Sequence, residues 1–154
     1  MGKEIERKFL VRDLHFLQGT EGHHIVQCYL VNRPGIIVRI RIMDDKAWLT
    51  VKGPTVNCTR REEEFELPVD EAKAIMGNMK DLKAVEKKRY IVDCGKRWEI
   101  DVFEGENAGM VVAEIELNTV DEQFDKPEWL GEEVSDDPRY YNSNLINNPY
   151  SKWK

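Results

Sequence analysis

The chain has 154 residues, 41% hydrophobic and 34% charged, which is one domain's length with enough apolar material for its own core. A formal net charge of −6 excludes the broad basic surface that takes up nucleic acid, and no apolar run approaches membrane-spanning length. Three cysteines, Cys28, Cys58 and Cys94, form an odd set without metal-ligand spacing; with the charged N-terminus, this points to a reducing cytoplasm rather than secretion.

Period-two alternation dominates the chain and predicts strands over 3–11, 24–32, 36–43, 46–52, 60–67, 85–93, 97–103 and 111–118. Arg33-Pro34-Gly35, Asp44-Asp45 and Cys94-Gly95-Lys96 separate neighbouring runs, the last two as tight hairpin turns. Asp70 is expected to cap a helix through Lys80 with an apolar stripe of Ala72, Ile75, Met76 and Met79. Thr119 and Glu122 have capping-box spacing and predict a short helix stopped by Pro127, and 140–146 reads as a last helical turn or two. The expected fold is α+β but mainly β: one domain over 1–154, an eight-stranded antiparallel closed barrel with a few outer helices.

The side chains at alternate positions carry the functional information. Glu4, Glu6 and Lys8 share one face of the first strand, with Ile5, Arg7 and Phe9 on the other. Arg39 and Arg41 stand back to back with Val38, Ile40 and Ile42. Glu62, Glu64 and Glu66, then Lys87 and Arg89, then Glu99 and Asp101, then Glu114 and Glu116 repeat the pattern on later strands. A solvated sheet face is the ordinary explanation for alternate charges. It fits poorly here, because solvated faces mix their polar residues and like charges in close register repel. If the sheet closes, the apolar faces pack outward and the charged faces line a lumen. Clustered carboxylates suit a hard divalent cation, and Lys and Arg forks suit phosphate oxygens. A metal-chelated polyphosphate satisfies both.

The chain also carries an ordered set of motifs. Glu4-Ile5-Glu6-Arg7-Lys8 is an ExExK pattern, followed by Gln27-Cys28-Tyr29-Leu30, Val38-Arg39-Ile40-Arg41, Thr50-Val51-Lys52-Gly53 and Glu64-Phe65-Glu66. Val85 to Tyr90, Glu99 to Phe103, Ala113 to Leu117 and Glu132 to Tyr140 complete it. In this order the motifs resemble the CYTH superfamily, the triphosphate tunnel metalloenzymes, and are most similar to short bacterial inorganic triphosphatases. The resemblance implies an eight-stranded tunnel in which Glu4, Glu6, Glu114 and Glu116 hold Mg²⁺ or Mn²⁺, with Glu64 and Asp101 as lesser ligands. It implies that Arg39, Arg41, Lys52, Lys87 and Arg89 grip the phosphates, and that Lys8, with Tyr29 as a partner, serves the reacting phosphoryl group. Arg139 is expected on a helix that closes the tunnel. Two departures stand out: Cys28 replaces the glycine usual in similar short members, and Pro138 and Asn142 stand where relatives often carry lysines.

Other residues read as structural. Arg7, Glu86 and Lys88 have the outward parity, Glu62 lies between rim and lumen, and Cys28 reads as a packing group. His23-His24 has no third ligand nearby in sequence and reads as a loop pair. The four tryptophans lack interleaved basic residues and read as packing. The expected function is metal-dependent hydrolysis of inorganic triphosphate by direct attack of water, with no Ser, Cys or His nucleophile in evidence. An adenylyl cyclase acting on a nucleoside triphosphate, a thiamine triphosphatase and a non-catalytic polyphosphate-binding module are the rivals. No membrane or nucleic-acid partner is expected, and members of the family are often dimers, so a homodimer is an expected assembly.

Overall fold

The computed structural model describes residues 3–78 and 83–153. Its strands are β1 (Lys3–Val11), β2 (Gly22–Arg33), β3 (Ile36–Met43), β4 (Lys46–Val56), β5 (Thr59–Leu67), β6 (Ala84–Asp93), β7 (Arg97–Phe103), β8 (Val111–Glu116) and β9 (Leu130–Glu133). The helices are α1 (Val69–Asn78) and the single-turn α2 (Asn142–Leu145), with short 3-10 turns elsewhere.

Each hairpin turn follows from its residues. Gly35 at φ 86° follows Pro34, whose ring fixes the preceding corner, between the paired Arg33 and Ile36. Asp44 takes φ 55° in the two-residue loop between Met43 and Lys46. Asn57 and Cys58 both adopt positive φ between Val56 and Thr59, which matches the right-handed twist of the strands they join.

The antiparallel strands run in the order β5-β4-β3-β2-β6-β7-β8-β1, and β1 pairs back onto β5, which closes the barrel. β1 is the seam. Lys3–Ile5 pair with β5, Glu6–Leu10 pair with β8, and Phe9 and Val11 pair with β9 on the flank that β5 leaves. β9 was invisible in the sequence because four residues are too few to show alternation. Its Gly131 is required by close approach, since a Cβ there would stand 3.0 Å from the Leu10 carbonyl oxygen.

The apolar faces do pack outward. Ile5, Phe9, Trp98, Ile100, Ala113 and Ile115 from β1, β7 and β8 form one cluster with Trp129 and Leu130, and Phe16 stacks on Trp129 at 4.2 Å. Ile40 and Ala47 of β3 and β4 pack against Ala72 of α1. Trp98, Trp129 and Trp153 are packing residues, and Cys28 is buried.

The inner face is not charged throughout. Tyr29, Ile37, Val85, Phe103 and Val112 turn apolar surface inward at one end, where Leu145 of α2 meets them with Tyr140, Ile146, Tyr150 and Trp153 packed around. This plug closes the barrel end from which the C-terminal segment hangs.

Two helix expectations need correction. Asp70 sits within the first turn of α1, which starts at Val69, and does not cap it; Met79 and Lys80 lie outside the described residues. The stretch after Thr119 is a single turn and not a helix. There the Glu122 carboxylate accepts from the Asn118 amide at 2.5 Å and pairs with Lys96, while Phe124 is drawn edge-on onto Phe9 and Trp98. Tertiary contacts outweigh a capping box that has no apolar stripe behind it. The last helical turn expected within 140–146 is present as α2, preceded by a 3-10 turn at Pro138–Tyr140.

Among the described residues, no helix is long and apolar enough to cross a membrane.

Candidate functional site: the charged lumen

The inner faces of β1 to β8 enclose a cavity of about 290 Å³, at the small end of ligand sites (~300–1,000 Å³). Glu4, Glu6, Lys8, Tyr29, Arg39, Arg41, Lys52, Glu64, Lys87, Arg89, Glu114 and Glu116 all line it. Strand alternation and closure bring these twelve side chains, from seven strands, onto one surface. Glu62, Glu99 and Arg60 line it too. Glu62 is therefore a lumen residue, 3.5 Å from the Lys52 ammonium. Arg7, Glu86 and Lys88 face outward as their parity required, Arg7 in a two-pronged bond to Glu133 at 2.6 and 2.8 Å.

One wall is acidic against its own interest. The register sets Glu6 directly across from Glu116, and Glu99 across from Glu114. Like charges directly opposite on neighbouring strands destabilise a sheet. Burial, then Glu114 and Glu4, push the Glu6 carboxyl up to about 8. Burial, then Glu4, Glu62 and Glu99, raise Glu116 as well. Lys52 reaches Glu4 at 3.2 Å and Lys8 reaches Glu114 at 3.3 Å, which offsets the charge only in part. An all-oxygen donor set left this far from neutrality fits a hard divalent cation.

The opposite wall is basic, and its charges are ordered by one buried acid. Asp101 is fully buried between β6 and β7, at 2.7 Å from Lys87 and in a two-pronged bond to Arg89 at 2.8 and 3.0 Å. Burial alone would raise its carboxyl, but Arg89 and Lys87 hold it well below the usual carboxylate range. Burial draws the Lys87 ammonium down to about 8 in spite of Asp101. Burial, then Arg39 and Arg89, lowers Arg41 to about 10. Arg41 lies over the Trp48 ring and near Glu64 at 3.4 Å, and Arg39 reaches Thr50 at 3.5 Å. The Nε atoms of both Arg39 and Arg41 are buried without a protein partner. A buried donor of this kind calls for an acceptor from water or a ligand. The structure thus corrects the expectation for Asp101: it stands behind the cavity wall, its oxygens committed to Lys87 and Arg89.

Lys8 sits between the walls. Burial opposes its charge, but Glu114 and Glu6 lift the ammonium above its ordinary value, so it is cationic at neutral pH. Its Nζ also donates to the Tyr140 carbonyl at 3.1 Å and lies 5.7 Å from the Tyr141 ring centre. Tyr29 lines the same cavity, its hydroxyl accepting from Gln27 Nε2 at 2.6 Å.

The C-terminal segment supplies a roof that the sequence reading missed. Ser135, Tyr141, Asn142 and Ser143 line the cavity, and Asn142 Oδ1 accepts from Lys87 Nζ at 2.9 Å. No periodic signal marks these residues. Asn142, one of the departures from the family pattern, contributes a neutral carbonyl to the roof. Arg139 is corrected outright: it lies on the surface, paired with Asp137 at 2.7 Å and over the Tyr140 and Trp153 rings, and does not reach the cavity. The 3-10 turn capped by Asp137 points it away.

Ser135 and Cys58 are two of the lining residues that carry a hydroxyl or thiol. The Ser135 hydroxyl donates to Glu133 at 2.6 Å and accepts the Lys8 amide at 2.9 Å, and burial raises the Cys58 thiol so that it stays protonated. The lumen offers a carboxylate wall for a cation and a guanidinium and ammonium wall for a polyanion.

Comparison with known proteins agrees with this chemistry. The CYTH domain family matches residues 2–141. An inorganic triphosphatase of Acetivibrio thermocellus is 44% identical over 155 residues, covering 100% of this chain and 99% of its own length. A second inorganic triphosphatase, from Nitrosomonas europaea, is 32% identical across 92% of this chain and 95% of that protein. Among solved structures, an inorganic triphosphatase superposes with a TM-score of 0.66 at 30% identity, covering 92% of this chain and 96% of that one.

Proposed function

The chain belongs to the CYTH domain family, and from that premise we propose that its single domain over 1–154 hydrolyses inorganic triphosphate to pyrophosphate and orthophosphate. The observation that carries the proposal is the pairing of walls: a carboxylate arc that its lysines offset only in part shares one cavity with Arg39, Arg41 and Arg89. The family implies a divalent metal. Glu4, Glu6, Glu114 and Glu116 fit it as the principal ligands, with Glu64 at the margin, where its carboxylate already accepts from Thr50. Mg²⁺ or Mn²⁺ bound there would neutralise phosphoryl oxygens as a Lewis acid.

The chain's own groups set the geometry. Arg39, Arg41 and Arg89 grip non-bridging oxygens, and their partial burial strengthens each charge-assisted bond. Lys52 and Lys87 hold the ends of the chain. Lys8, kept charged by Glu114 and Glu6, positions the terminal phosphoryl group and offsets the charge spread over it in a loose transition state. Water attacks that phosphorus in line. A new P–O bond forms as the phosphoanhydride bond breaks, and the departing pyrophosphate keeps the bridging electron pair. The proton released by the attacking water passes to solvent or to a carboxylate of the acidic wall. Asp101 acts at one remove, by aiming Lys87 and Arg89.

The test is phosphate release from tripolyphosphate with Mg²⁺ or Mn²⁺ by wild type, Glu4→Ala and Lys8→Ala. Loss of turnover in both variants is the expected outcome; equal rates in all three sink the assignment. Cyclic AMP from ATP, or tight tripolyphosphate binding with no turnover in any metal, would move the chain to one of the rival functions.

A further inference from the structure

Outside the lumen, tertiary folding gives His24 the partners it lacked in sequence. His24 lies on the outer face of β2, and the β2–β6 register (His24 opposite Lys88, Val26 opposite Glu86) makes Glu86 its diagonal neighbour on the same face. Glu104 follows β7, and its amide donates to the Glu86 carbonyl at 3.0 Å, which fixes the two acidic residues relative to each other. The His24 Nε2 stands 3.1 Å from Glu86 Oε2 and 3.6 Å from Glu104 Oε1. All three donor atoms lie within 4.8 Å of one another. Among the ion pairs of the described residues, neither carboxylate meets any Lys or Arg. One Nε2 hydrogen cannot serve two carboxylates, and 3.6 Å is too long for a hydrogen bond. His23, next in the chain, is engaged separately with Asp44 at 2.7 Å.

We propose that His24, Glu86 and Glu104 form a transition-metal site on the outer barrel wall, distinct from the lumen. Donor atoms at the corners of a four-coordinate ion with ~2.0–2.1 Å bonds stand about 3.3 Å apart, which is the spacing His24 already keeps from both carboxylates. One imidazole with two carboxylates and a water is a mixed nitrogen–oxygen set that favours Zn²⁺, and Co²⁺ or Ni²⁺ after it, over Mg²⁺. The lumen, all oxygen, has the opposite preference. The bound ion would tie β2, β6 and the turn after β7 together on the outside of the wall that carries Lys87 inside.

The chain holds three histidines, His15, His23 and His24, and none lines the lumen, so their ring signals report outer-wall binding alone. The experiment is a Zn²⁺ titration of the full chain in excess Mg²⁺, followed by the imidazole ¹H–¹⁵N resonances. The expected result is a saturating shift of the His24 ring at one equivalent, with His15 as the unmoved control and no shift from Mg²⁺ alone. Glu86→Gln and Glu104→Gln should each weaken the His24 transition roughly tenfold or more. Both carboxylates are solvent-exposed or half-exposed, so the variants keep the fold. A His24 ring that does not move in excess Zn²⁺, or that titrates identically in both glutamine variants, overturns the site.

Discussion

The two charge clusters of the lumen meet the problem of buried charge in opposite ways. Across β1 and β8, Glu6 faces Glu116 with Glu4 and Glu114 beside them, and Lys52, Lys8 and Arg89 compensate in part. Across β6 and β7, Lys87 and Arg89 close on Asp101 with three contacts between 2.7 and 3.0 Å. The first cluster keeps an excess of negative charge that a cation from outside would offset; in the second, one buried carboxylate fixes two cations that still line the cavity.

The comparison breaks most visibly in catalysis. Glu6→Gln should lower tripolyphosphate turnover by roughly 10²–10³-fold, the scale of removing one group that stabilises transition-state charge. The same change should leave the metal-free melting temperature about level near neutral pH, where Glu6 keeps its proton, and raise it above about pH 8, where it removes a repelling charge. Asp101→Asn is the converse. It strands Lys87 and Arg89 in the wall and should cost about 3–5 kcal/mol of stability by denaturant unfolding, with activity falling as the two cations lose their aim. If Asp101→Asn is neutral and Glu6→Gln destabilises, the contrast between the walls is wrong.

A pH series sharpens it further. Glu6 titrates at about 8 in the folded chain, above the ordinary carboxylate range of the unfolded one, so the native state holds its proton longer. Stability from this group is complete at acid pH and lost as pH rises through about 8. The metal-free melting temperature should therefore fall on going from about pH 6 to about pH 9, and Glu6→Gln should flatten the slope. Excess Mg²⁺ should remove it too, since the ion takes the place of the proton. Asp101 has the opposite sign. Its stabilisation is present above the ordinary carboxylate range and lost only as pH falls into acid.

The smallest effect is expected at Arg139. It is a surface residue paired with Asp137 two positions away, so Arg139→Ala should change stability by no more than about 0.5 kcal/mol and turnover by less than about twofold. A larger loss of turnover would bring the residue back to the site.

Alternation made the walls legible. Glu4, Glu6 and Lys8 on one parity, with Ile5 and Phe9 on the other, fixed which side chains share a surface, and every strand predicted from that signal is present. What escaped were residues outside any period. β9 is too short, Ser135 and Tyr141 approach from an irregular segment, and the inward apolar plug of Ile37, Val85 and Val112 shares its parity with the charges. His24 also escaped, because its partners lie about sixty and eighty positions away and are joined to it only by the pairing of β2 with β6 and the end of β7.

The sequence by itself determined that this chain would fold into strands with one charged and one apolar face, and which residues would stand together on each. The physical reason is local: a strand's side-chain period is two, and that constrains every residue along it. Only the tertiary structure decided that the charged face turns inward, that Asp101 is committed to the basic wall while the carboxylates of β1 and β8 are compensated only in part, and that Arg139 points away. Those outcomes depend on barrel closure through the β1–β5 seam and on the register between strands distant in sequence, which no local period encodes.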